Sequence, residues 1–254
     1  MLLPRVIPVL LLSGKGLVKG VQFDRHSYIG DPINTVQIFN AKDVDELIFL
    51  DITATAEGRI PSLEMIQRIA DQCLMPFSVG GGIKTIKDIR DILSAGAEKV
   101  CLNTTAMEDP AIIRQTADNF GRQSIIVSID VRPDKNGVYD VYSRCGTKKT
   151  GTDVVAMAIQ MENQGAGEIM LNSIDRDGTM TGYDLPLLQQ VCKSVTIPVI
   201  ACGGAGTLKH LQEGINIGGA SAVAAGSFFV FQGSRRAVLI SYPSKLELIE
   251  IRGQ

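Results

Sequence analysis

Apolar and polar positions along the chain fall into two alternating rhythms. Short apolar runs lie at 5–11, 46–52, 77–79 and 99–102, and the second half repeats them at 124–130, 168–171, 198–201 and 222–225. These runs are too short and too apolar for strands of a half-exposed hairpin. They read as strands of a parallel sheet buried on both faces. Between most of them lie helical patterns, clearest at 62–72, 86–95 and 111–120. Eight such units without a linker between them predict an α/β fold, a single closed (β/α)8 TIM barrel spanning 1–254.

An internal repeat sharpens this. Gly81-Gly82-Ile83-Lys84-Thr85 recurs as Gly203-Gly204-Ala205-Gly206-Thr207, an offset of 122 from position 81 to position 203. Asn103-Thr104-Thr105 corresponds to Ala225-Gly226-Ser227 at the same offset. The barrel is therefore expected to be a duplicated half-barrel, with a pseudo-symmetric phosphate site in each half. The longest irregular stretches, 14–30 and 132–152, occupy matching places in the two halves and are candidate lid loops of the active face.

Composition narrows the partners. A chain of 254 residues, 45% hydrophobic, can bury a large core, and a net charge of −2 without any Lys/Arg cluster gives no footprint for nucleic acid or an anionic membrane. The expected ligand is small. Cys73, Cys101, Cys145, Cys192 and Cys202 show no C-x-x-C spacing, so they suggest reduced thiols of a cytoplasmic protein, with neither a zinc site nor a disulfide framework. The apolar run 6–12 contains Pro8 and leads into Gly14 and Gly16, which fits a buried first strand better than a signal peptide. His26 and His210 are the only histidines, which argues against a histidine triad or metal centre; no metal or cofactor is expected.

Two kinds of position could carry chemistry. Glycines directly after a strand let backbone N–H groups approach a phosphate, and Gly80-Gly81-Gly82 and Gly203-Gly204 are so placed. Tight turns need such glycines too. Repetition, with Asn103-Thr104 and Gly226-Ser227 on adjacent strands, favours phosphate and a ligand carrying two of them. The second kind is a charged residue at the carboxyl end of an apolar strand, where barrel enzymes keep catalytic groups. Asp130 ends the run Ile125–Ile129, where burying a carboxylate is costly without a purpose. Asp51 could equally cap the turn that follows it. Asp177, within Asp175-Arg176-Asp177-Gly178, could be a solvated turn residue. Lys19, between Val18 and Gly20, could hold an oxyanion, although spacing alone favours a surface charge. At the opposite strand ends stand Arg5, Glu46, Lys99 and Glu168, which on spacing alone suggest a stabilising salt-bridge ring.

These residues carry a resemblance over nearly the whole chain. Val18-Lys19-Gly20, Phe49-Leu50-Asp51-Ile52-Thr53-Ala54, Val79-Gly80-Gly81-Gly82-Ile83, the stretch from Ser173 to Thr179 with Gly182-Tyr183-Asp184, and Gly203-Gly204-Ala205-Gly206 are similar to the HisF family, the cyclase subunit of imidazole glycerol phosphate synthase. The resemblance implies that Gly82, Asn103 and Thr104 hold one phosphate of the ligand. Asp177, Gly178, Gly204, Gly226 and Ser227 would surround the other. It also implies that Arg5, Glu46, Lys99 and Glu168 gate an ammonia passage fed by a HisH-like glutaminase docked on that face.

The pattern breaks at position 11. The family places an aspartate on strand one to work with the one matching Asp130 as an acid–base pair; this chain has Leu11. Losing a positioned acid or base costs roughly 10²–10⁴ in rate. Leu11, together with the closing segment from Arg236 to Pro243, resembles a paralogous branch of surface-polysaccharide (lipopolysaccharide) pathways. By that resemblance the ammonia serves a separate ATP-dependent sugar amidotransferase that converts an acetamido group to acetamidino. Histidine-pathway cyclase chemistry at Asp130 is the alternative.

Overall fold

In the computed structural model, which describes residues 3–233 and 235–253, the eight apolar runs form one closed parallel barrel. Its strands are β1 (Arg5–Ser13), β2 (Leu47–Asp51), β3 (Phe77–Gly80), β4 (Lys99–Leu102), β5 (Ile125–Pro133), β6 (Glu168–Ser173), β7 (Val199–Cys202) and β8 (Ala222–Ala225). β1 pairs in parallel with both β2 and β8, and β5 with both β4 and β6, so no edge is left open. Closure satisfies every edge strand's backbone groups within the sheet.

Side chains alternate along each strand between the barrel interior and the helices outside. Outward residues join a large shell with the surrounding helices; inward residues such as Ile7, Ile48, Ile126, Met170, Ile200 and Ala222 form a separate, solvent-free cluster along the barrel axis. The helices start where the sequence offers caps. Thr85 and Asp88 form a reciprocal capping box before helix Ile86–Ser94, and Thr207 caps helix Leu208–Asn216 at the position 122 residues on. The two glycine turns match as well: Gly81 and Gly82 have φ of +114° and +66°, Gly203 and Gly204 +84° and +114°.

The expected irregular stretches are not irregular. Residues 14–30 fold into two antiparallel strands, Gly16–Val21 and Asp24–Gly30, that continue β1 as a ribbon, and Tyr139–Ser143 with Lys148–Lys149 continue β5 in the same way. Polar residues and positive-φ turns at Gln22, Phe23, Arg144 and Cys145 disguise these strands in the sequence. Both ribbons rise from the carboxyl ends of their strands. Their tips meet over the barrel mouth, where the Phe23 ring comes within contact distance of Gly146.

Candidate functional site

The mouth at the carboxyl ends of the strands encloses a cavity of about 590 Å³. Leu11, Lys19, Asp51, Gly82, Asn103, Thr104, Asp130, Asp177 and Gly226 all line it; Gly178, Gly204 and Ser227 are not among the lining residues, although Gly178 and Ser227 directly follow Asp177 and Gly226, which are. β1 and β5 lie half a barrel turn apart, so Leu11 and Asp130 occupy opposite walls.

Asp130 is 7% exposed and its pKa is pushed up to about 7. Burial is the main cause, and the charge of Asp177 adds to it. Side-chain hydrogen bonds from Ser128 and Asn172 pull the other way without offsetting it. The Ser128 hydroxyl donates to Asp130 Oδ1 at 3.1 Å, and Asn172 sits beside Asp130 as its register partner on β6. The facing wall, with Val9, Leu11 and Leu50, is apolar.

The other carboxylates lining the cavity are committed. Asp51 accepts from the backbone N–H groups of Thr53 and Ala54, both at 3.1 Å, and pairs with Arg59 at 2.6 Å. It therefore does what a turn cap does, with an arginine that nothing in the sequence pattern had marked. Asp177 is bound by the Lys19 ammonium at 2.8 and 3.0 Å. Lys19 is only 5% exposed and Asp177 only 9%, so the expectations of a surface lysine and a solvated turn are both corrected. The ribbon buries Lys19: it brings the side chain inward, and Gln22 N–H donates to the Asp177 carbonyl at 2.8 Å, locking the two segments together. Glu108 pairs with Arg144 and Lys148. The exposed Asp109 caps the start of helix Ala111–Phe120 through the Ala111 N–H. Asp130 alone among the buried carboxylates of the cavity lacks a cationic partner.

The first glycine turn approaches its neighbours closely. A Cβ on Gly82 would lie 1.8 Å from the Arg59 carbonyl oxygen, and the Gly82 N–H donates to Thr55 Oγ1 at 3.2 Å. Asn103 spans two elements, donating to the carbonyls of Ser128 and Tyr142, while Thr104 Oγ1 receives the Arg144 N–H at 3.0 Å. In the second half Gly204 accepts from Gly182 N–H, and Gly178 and Ser227 are bridged by Arg236.

At the amino ends of the strands, Arg5, Glu46, Lys99 and Glu168 do form a ring. Arg5 bonds to both Glu46 and Glu168, and Lys99 reaches Glu46 at 3.0 Å and Glu168 at 2.6 Å. Ser78 Oγ donates to Glu46 at 3.1 Å and completes the set. Burial acts to raise the Glu168 pKa, but Arg5 and Lys99 outweigh it and hold it below the usual range. The two cations and two anions cancel, which lets four charges sit over an apolar barrel axis. Ser78 and Asn172 were missed by sequence reading, although each is a polar residue within an apolar strand, the signal that identified Asp130.

Among the described residues no group of three or more His, Cys, Asp or Glu side chains could hold a metal ion, and no helix is long and apolar enough to cross a membrane.

A closed barrel with a cavity holding a buried carboxyl at its carboxyl end and an ion-paired ring at the other defines a (β/α)8 barrel of the enzyme-like kind. Its sequence gives the family: residues 5–234 match the histidine biosynthesis protein family, to which the chain belongs. Over 94% of its length, and 95% of the relative's, it is 50% identical to a Pseudomonas aeruginosa protein provisionally named imidazole glycerol phosphate synthase subunit hisF2. Proteins of Leptospira borgpetersenii and Leptospira interrogans, provisionally named imidazole glycerol phosphate synthase subunit HisF, are 46% and 47% identical over 96% of this chain, covering 96% and 97% of their own lengths. The chain is thus HisF-like.

Proposed function

We propose that this chain is the ammonia-receiving barrel of a glutamine-dependent synthase whose acceptor is an N-acetyl sugar of surface-polysaccharide synthesis. A HisH-like glutaminase docks on the face bearing Arg5, Glu46, Lys99 and Glu168. Ammonia released there enters as the neutral molecule, since the apolar axis above the ring would charge a heavy desolvation cost for ammonium. The closed ring holds the entrance shut until docking displaces a cation. The cytoplasmic complex passes ammonia on to an ATP-dependent sugar amidotransferase, which exchanges the acetamido oxygen for nitrogen. A phosphorylated small molecule occupies the mouth, with Gly82, Asn103 and Thr104 at one end and Asp177, Gly178, Gly204, Gly226 and Ser227 at the other.

The observation that carries this reading is Leu11 opposite Asp130. The acid–base pair of the resembling cyclase needs two carboxylates, and every other buried carboxylate of the cavity is already ion-paired. In a purified complex of this chain with its cognate glutaminase, the expected result is glutamine hydrolysis coupled to the sugar amidotransferase. No turnover is expected of the histidine-pathway intermediate, an N-linked ribulosyl aminoimidazole carboxamide ribonucleotide. Normal turnover of that intermediate would sink the proposal.

The second reading, a cyclase subunit of histidine biosynthesis, is favoured by the names of the relatives and by an Asp130 pKa of about 7, which suits a general acid or base. Complementation of a strain lacking the cyclase decides between the two.

A further inference from the structure

Arg236 is a half-buried cation held in place without an anion. It lies in the turn of a two-stranded ribbon, Phe231–Gln232 with Ala237–Val238, beyond β8. Three contacts fix its guanidinium. Nη1 donates to the Gly178 carbonyl at 2.9 Å, Nη2 donates to Ser227 Oγ at 3.1 Å, and the group lies over the Phe231 ring, 4.5 Å from its centroid. Among the described residues no carboxylate lies within 4.0 Å of it, and its remaining N–H groups make no hydrogen bond. The carboxylate of Asp177, the residue before Gly178, is already closed by Lys19 at 2.8 Å.

Arg144, in the ribbon after β5, shows the contrast. It reaches across to the first half-barrel, donating its backbone N–H to Thr104, while its guanidinium is neutralised by Glu108 at 2.8 Å. A half-buried, immobilised guanidinium with no counter-ion is an unbalanced charge that a bound anion would complete. Arg236 touches two residues, Gly178 and Ser227, that directly follow the cavity-lining Asp177 and Gly226, and its planar fork suits the paired oxygens of a phosphate.

We propose that Arg236 is the cationic ligand of a phosphomonoester in the second half-barrel, donating to phosphate oxygens alongside the N–H groups of Gly204 and Ser227. This rests on the reading that a phosphorylated ligand occupies the mouth. In that role Arg236 selects for a doubly charged phosphate over a neutral hydroxyl at this end of the ligand.

The test is a titration of the full chain with inorganic phosphate, followed by the amide ¹H–¹⁵N shifts of Gly204 and Ser227 and, for the other half, of Gly82 and Thr104. The wild type is expected to show saturable shifts in both halves. Arg236→Gln should weaken binding at Gly204 and Ser227 by about tenfold or more, the usual effect of losing a charged hydrogen-bond donor, and leave Gly82 and Thr104 unchanged. A folded Arg236→Gln chain with unaltered affinity at Ser227 overturns the role of Arg236. Absence of saturable shifts at Gly204 and Ser227 in the wild type overturns the phosphate reading of this half, and the inference falls with it. If Arg236→Gln does not fold, Arg236→Lys and Arg236→Met are compared: tighter phosphate binding by Lys supports the proposal, and equal binding overturns it.

Discussion

Leu11 and Asp130 line one cavity from opposite walls, one an isobutyl group continuous with Val9 and Leu50, the other a buried carboxyl with a pKa near 7. The site therefore holds one buried carboxyl free of an ion pair where paired acid–base chemistry needs two. Leu11→Asp restores the second. The expected outcome is a rise in turnover of the histidine-pathway intermediate, with ammonium salts as nitrogen source, of roughly 10²–10⁴ over the parent chain. Steady-state assays on the isolated barrel measure it. An unchanged rate would mean that the substrate no longer seats between these walls.

Burial of Asp130 also has a signature in stability. Its folded-state pKa of about 7 is raised above the ordinary carboxylate value, so the folded protein holds this proton more tightly than the unfolded chain. The resulting stabilisation is present below the unfolded pKa, near 4, and is lost as pH rises towards 7. Asp130→Asn removes the titration. Urea unfolding of both proteins from pH 4 to pH 8 should show the parent losing stability relative to the variant, on the order of 1 kcal/mol per pH unit within that window. Parallel curves would mean that Asp130 ionises freely.

The ring of Arg5, Glu46, Lys99 and Glu168 makes a prediction of opposite sign. Each cation bonds to both carboxylates, so Lys99→Met leaves Glu46 and Glu168 sharing Arg5 alone. An uncompensated, largely buried carboxylate should cost about 2–3 kcal/mol at pH 7. Glu168 in the parent is held below its usual pKa, so its contribution is present above the unfolded pKa and lost as pH falls. In the variant Glu168 loses one of the two cations that hold its pKa down and takes up a proton more readily. The gap between the proteins should therefore narrow from pH 7 to pH 4.5 in chemical denaturation.

What could be read beforehand depended on how local the cause was. The barrel strands and the duplication were legible because burial on both faces writes itself into composition, and helices 86–94 and 208–216 carry matching threonine caps. Asp130 was legible because a carboxylate closing a strand with four apolar residues among the preceding five is costly. The ribbons at 16–30 and 139–149 were not, since only Leu17, Ile29 and Val141 reach the core while the run Asp24–Tyr28 is polar and exposed, and left-handed turns at 22–23 and 144–145 interrupt the pattern. Lys19 and Asp177, 158 positions apart, illustrate the remainder: each looks like a surface residue by itself, and only the ribbon folding over the mouth turns the two into a buried pair. Arg59 escaped notice, and Arg236 was marked only as the start of a resembling segment, for the same reason: their partners are set by the chain path.

Gly82 allows a test of whether the first glycine turn is demanded by close approach or by backbone conformation alone. Gly58 and Gly82 have the same φ, +66°, but differ in surroundings. A Cβ on Gly58 meets nothing within 4 Å, whereas one on Gly82 would lie 1.8 Å from the Arg59 carbonyl oxygen and 3.0 Å from Ala54. Gly58→Ala should thus cost only the left-handed backbone strain, about 1 kcal/mol. Gly82→Ala carries the same strain and must also displace the Arg59 backbone, whose side chain holds Asp51. An additional loss of about 2 kcal/mol or more is expected, a melting temperature lower by roughly 4–8 °C than that of Gly58→Ala. Differential scanning calorimetry of the two variants reads the difference directly. If they melt together, the Arg59 turn yields freely, and the glycine is there for its conformation and not to bring two backbones together beneath the cavity.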